Sequence, residues 1–106
     1  MLGLGSGRFD ELIRRQLDLF ADDETTLIAE AEEADAAWTN ASRDDAEELY
    51  GDYQLVVDAI GERLYDVRET YASSLDERTA DSYREAFNRA AGKRFRRYVT
   101  FLDDES

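Results

Sequence analysis

The stretch Lys93-Arg94-Phe95-Arg96-Arg97-Tyr98 places four cations and two aromatic rings together in a chain whose net charge is −13. Cations at this spacing can grip carboxylates or phosphates, and interleaved rings can stack on nucleic-acid bases. On a helix, Arg89, Lys93, Arg96 and Arg97 fall within a sector of about 100° opposite Phe87, Phe95 and Tyr98. The rings then belong to the core, which removes the stacking chemistry. The four cations are left as a solvent stripe, the candidate partner-binding site.

Three readings of that stripe follow. Cations near a helix C-terminus stabilise it by about 0.3–1 kcal/mol each, and Glu85 precedes Arg89 by four residues, the favourable order for a helical pair. Lys93, Arg96 and Arg97 have no such carboxylate behind them. Neighbouring acidic helices, the terminal Asp-Asp-Glu-Ser or another molecule must screen them. The second reading is docking on an acidic surface of a second copy or of another protein. The third is nucleic acid or anionic lipid, whose approach the overall charge opposes.

Catalytic chemistry has little to work with. Nucleophilic and general-base catalysis usually recruits Cys or His, and the chain contains neither. The lack of His also removes the helical di-iron sites built on Glu-x-x-His pairs. Glu30 and Glu33 stand one turn apart, and Asp44, Asp45, Glu47 and Glu48 crowd the start of a second helix. There they complement the positive end of the helix dipole, with a cation site as the competing reading. Gly3 and Gly5 lack the third glycine and the lysine of phosphate-binding loops. The expectation is a non-enzymatic protein with no catalytic, cofactor or metal residues.

The chain holds 26 acids against 13 bases, its pI is near 4.2, and Lys93 is its sole lysine. This composition resembles that of proteins from organisms that keep molar salt in the cytoplasm, where an acidic, hydrated surface stays soluble while salt screens its self-repulsion. The competing reading is an acidic face built to meet a basic partner. Residues 1–38 hold ten acids and three bases, 39–72 nine and three, and 73–106 seven of each. No apolar run approaches the roughly 18 residues that cross a bilayer. A soluble, cytoplasmic protein without a membrane partner is expected. Cysteine is absent, so no disulfide framework exists.

These side chains must be positioned by helices. Proline is absent, strand-like alternation is sustained nowhere, and 106 residues suffice for one small core. In the first segment Phe9, Leu12, Ile13, Gln16, Leu17, Phe20, Leu27, Ile28, Ala31, Ala34 and Trp38 share a face. The polar patch at 22–26 allows one helix of about 30 residues, or two with little change of direction. A turn at 39–42 follows, with Ser42 and Asp45 as a weak capping box. Ala46, Tyr50, Tyr53, Val57, Ile60, Leu64, Val67 and Tyr71 then form a heptad seam. Ser74 and Glu77 read as a capping box for the third helix, whose apolar face runs from Ala80 to Leu102. The expected organisation is a flexible leader at 1–7, helices at about 8–38, 43–72 and 75–102, and an acidic tail at 103–106. The fold expected is all-α, an elongated antiparallel three-helix bundle that resembles a spectrin repeat in architecture. So thin a rod buries a modest core, and self-association through a helix face follows as an expectation.

Overall fold

The computed structural model describes residues 7–99, and every described element is helical. Helix α1 spans Asp10–Asp23, α2 Thr25–Thr39, α3 Arg43–Ala72 and α4 Glu77–Arg94, followed by a 3₁₀ turn at Arg96–Tyr98. The all-α expectation agrees with this, but the count of three helices does not. The first segment is divided at Glu24, whose φ of −107° and ψ of 28° leave the helical region. Glu24 N–H still donates to Phe20 O at 2.9 Å, and Ile28 N–H to Glu24 O at 2.9 Å, so the two ladders meet at this residue. The Thr25 hydroxyl donates back to the carbonyls of Ala21 and Asp22, a local bond that competes with the regular helix. The apolar phase survives the break, with Phe20 and Ala31 buried and Leu27 and Ile28 half-buried.

Capping differs from expectation at two places. Ser42 does precede α3 with extended backbone, but its hydroxyl donates to Asp45 Oδ2 at 3.3 Å and caps no backbone N–H. Helix α4 is capped by Asp76 and not by Ser74. The Asp76 carboxylate accepts from Thr79 N–H at 3.0 Å and from its hydroxyl at 2.9 Å. A carboxylate at the positive end of a helix is a stronger acceptor than a hydroxyl. Ser74 instead turns its hydroxyl back to Tyr71 O at 2.7 Å and closes α3.

Paired residues give the topology. Trp38 meets Tyr50 and Glu24 meets Arg63, so α2 and α3 are antiparallel. Tyr71 meets Tyr83 and Arg68 meets Asn88, so α3 and α4 are antiparallel as well. Phe9 packs on Tyr83 and Phe20 on Phe95, which makes α1 and α4 parallel neighbours. Ile13, Leu17, Ile60, Leu64, Tyr83 and Phe87 are fully enclosed where α1, α3 and α4 meet. At about 1.5 Å per residue, α4 is roughly 27 Å long against roughly 45 Å for α3. It therefore covers only part of the seam. Ile60 and Leu64 are buried, whereas Tyr50, near the start of α3, is 42% exposed. The molecule measures 53 × 25 × 23 Å.

Helix α4 also ends sooner than expected. Phe95 adopts φ −123° and ψ 48°, and the chain tightens into the 3₁₀ turn. The turn keeps Phe95, Tyr98 and Val99 buried while it swings Arg97 onto α2. The expected leader, Phe101, Leu102 and the acidic tail lie outside the described residues, apart from Gly7. No helix among the described residues is long and apolar enough to cross a membrane.

Candidate functional site

The parallel pair α1 and α4 is held by large rings at both ends. Phe9 meets Tyr83 edge-on at 5.5 Å, and Phe20 meets Phe95 in the same way at 5.5 Å. Between these pillars Ala86 and Ala90 of α4 line a gap together with Ile13 and Leu17 of α1. Small side chains between bulky ones leave a channel. An open groove of about 430 Å³ results, with Asp10, Arg14, Arg89, Lys93 and Arg94 on its rim.

Two of the rim cations are neutralised. Arg14 donates to Glu11 at 3.2 Å and to Asp18 at 3.4 Å. Arg94 donates to the other oxygen of Asp18 at 2.6 Å, linking α4 to α1, and its guanidinium lies 5.5 Å from the Phe95 ring. Arg89 and Lys93 are exposed and pair with no carboxylate among the described residues. The expected pair of Glu85 with Arg89 does not form. Across one turn of α4, therefore, two positive charges stand over an apolar floor with no ion pair among the described residues.

The four cations of the sequence-derived stripe do not stay together. Arg89 and Lys93 line the groove. Arg96 is exposed on the 3₁₀ turn, outside the groove lining, and pairs with no carboxylate among the described residues. Arg97 leaves the stripe and donates to Asp35 Oδ2 of α2 at 2.9 Å, so its role is to tie the chain end to the α2–α3 hairpin. Its departure follows from the end of α4 at Arg94, because a straight helix would have kept residue 97 facing solvent. Phe95 and Tyr98 are buried, as their phase predicted. Around Arg97, burial raises the phenol pKa of both Tyr53 and Tyr98.

Arg14 and Arg94 escaped the sequence reading. The four-residue spacing of Ala86 and Ala90 beside Phe87 was the available signal for a shallow place on α4. That Arg14 would face it depends on α1 and α4 being neighbours. Trp38 sits near the end of α2, where the chain turns into α3. Its ring lies against Tyr50 at 4.9 Å and Tyr53 at 6.3 Å, and its buried indole N–H has no hydrogen-bond partner among the described residues.

The acidic residues fall elsewhere. Glu30 and Glu33 of α2 and Asp52 of α3 rim a second groove, of about 560 Å³, over Ala34, Ala37, Leu49 and Val56. Asp44, Asp45, Glu47 and Glu48 are exposed on the first turns of α3. Among the described residues no three metal-ligating side chains are gathered as a cation requires. No protein-family model matches the chain, nor does any curated protein or solved structure.

Proposed function

We propose that this protein is a non-enzymatic interaction module whose α1–α4 groove receives an acidic helical segment, in a cytoplasm of high ionic strength. The observation that carries this reading is the pair Arg89 and Lys93, without a carboxylate partner among the described residues, standing over the Ala86–Ala90 floor in a chain of net charge −13. With acids outnumbering bases two to one, an intramolecular partner for these cations would be easy to supply. Glu11 and Asp18 of α1 hold Arg14, Arg15 and Arg94 instead, and Asp10 on the same rim pairs with no cation among the described residues. The alanine floor admits a helix backbone to the roughly 8–10 Å of ordinary helix packing.

A protein ligand is favoured over nucleic acid on two grounds. The rings that might stack on bases are buried, and the long-range field of the chain repels polyanions. The test is an amide chemical-shift titration with a synthetic helical peptide rich in Glu and Ala, and in parallel with a DNA duplex. Shifts confined to Ala86, Arg89, Ala90, Lys93 and the facing turn of α1 on peptide addition are expected. Saturable shifts with DNA alone would replace this reading with nucleic-acid binding.

A further inference from the structure

The α2–α3 hairpin carries a surface of the opposite kind. Glu30 and Glu33 lie one turn apart on α2, Asp52 faces them from α3, and Ala34 and Ala37 form the floor between them. None of these three carboxylates pairs with a cation among the described residues. We infer that the occupant of the α1–α4 groove is the α2–α3 edge of a second copy of this chain, so that the protein assembles with itself through Arg89 and Lys93 against Glu30 and Glu33.

Spacing, shape and area support this assignment. Residues three or four apart on a helix hold their Cβ atoms about 5–6 Å from each other, so a pair of cations and a pair of anions can meet in register. Each floor carries two alanines, beside Ile13 and Leu17 in one groove and Leu49 and Val56 in the other, which permits close approach of the two helices. The long side of the molecule, 53 by 25 Å, is large enough for the roughly 800 Å² per partner that a standard interface buries. The groove and the acidic edge lie on different helix pairs, so each copy can give one surface and receive the other.

The inference rests on the interaction-module reading above, and its test reads assembly state, which the peptide titration does not. The full chain is followed by sedimentation velocity from about 10 to about 500 µM, a range bracketing a dissociation constant of order 100 µM. The runs are made in about 1 M KCl, where the Debye length of about 3 Å suppresses the net repulsion between copies, while pairs buried in the contact are screened much less. Concentration-dependent association is expected, and Lys93→Glu or Glu33→Lys alone should weaken it about tenfold or more. Both positions are exposed, and circular dichroism confirms that each variant remains folded. Mixing the two variants is the decisive arm, because each groove then faces a complementary edge and association should return to the wild-type level. A wild type that stays monomeric throughout, or association that neither reversal alters, overturns the inference. If the monomer still takes the acidic peptide, the module reading survives without self-assembly, and if it does neither, both are lost.

Discussion

Arg68, only 4% exposed, donates through Nη1 to Asn88 Oδ1 at 2.9 Å and so joins α3 to α4 through a buried charge. Its Nε donates to Glu69 at 2.8 Å, and its guanidinium lies 4.9 Å from the Tyr65 ring. Glu69 in turn accepts a bidentate pair from Arg84, at 2.9 and 3.0 Å. A buried cation is tolerated only when its donors are met, and here two different helices meet them.

Removing Arg68 should therefore cost more than an exposed salt bridge would. Arg68→Ala leaves Asn88 without its donor and a void beside Tyr65, for an expected loss of about 3 kcal/mol by urea denaturation. Arg68→Met, which keeps the packed stem, should lose roughly 1 kcal/mol. The same network gives an acid limb. The Arg84 hydrogen bonds, with help from Arg68, hold the Glu69 carboxyl below its ordinary value of 4.5. A depressed folded pKa means that its contribution is present above the unfolded value and is lost as pH falls through the folded one. Glu69→Gln should flatten stability against pH in that acidic window, and an unchanged slope would remove Glu69 from the account.

Tyr83 predicts the opposite limb. Burial pushes its phenol up to about 12, and its hydroxyl donates to Gln16 at 2.8 Å. Here the folded state favours the neutral form. Its contribution is complete below the unfolded value of 10 and disappears as pH rises from 10 toward 12. Absorbance titration should show one tyrosine ionising together with unfolding. Tyr83→Phe should cost about 1 kcal/mol at neutral pH through the lost hydrogen bond, yet reduce the alkaline loss of stability.

Gly51 and Gly92 lie inside helices, and a Cβ built on either meets nothing within 4 Å. Neither glycine serves a close approach, so each costs helix stability without return. Gly51→Ala and Gly92→Ala should each raise stability by roughly 0.5–1 kcal/mol, additively, as judged by thermal melts. A fall in melting temperature would mean that a neighbour in solution occupies the space beside that residue.

The helical stripes were legible because burial follows the 3.6-residue period directly. Phe9, Ile13, Leu17, Phe20, Ile60, Leu64, Tyr83 and Phe87 are buried where their phase placed them. What remained hidden depends on three-dimensional neighbours. Arg68 reads as one more solvent charge until Asn88 and Tyr65 surround it. Arg97 reads as part of a stripe until the helix ends at Arg94 and Asp35 of α2 comes within reach. Half of the candidate site, Arg89 and Lys93, lay in the expected stripe. The parallel packing of α1 and α4 follows from the expected three-helix bundle. That Arg14 stands beside α4 as the groove wall depends on how α1 is rotated in the packing, which local pattern does not encode.

Charge balance yields the last prediction. Exposed ion pairs such as Arg14–Glu11 and Arg15–Glu11 are weakened by salt, which argues for destabilisation in KCl. Such pairs are worth at most about 1 kcal/mol each, and often nothing. Against them stand 26 acids and only 13 bases, with Glu30, Glu33, Asp44, Asp45, Glu47, Glu48 and Asp52 exposed along the α2–α3 hairpin. Like charges one turn apart on a helix cost roughly 0.2–0.5 kcal/mol per pair, which over the hairpin amounts to on the order of 2 kcal/mol. Exposed pairs that are often worth nothing offset this repulsion only in part, and screening it should raise the melting temperature by roughly 5 °C between dilute buffer and molar KCl. Glu33→Gln with Asp52→Asn should reduce that rise by relieving part of the repulsion in advance. A melting temperature that is flat or falls as KCl is added would show that the ion pairs dominate and would remove the high-salt reading of the surface.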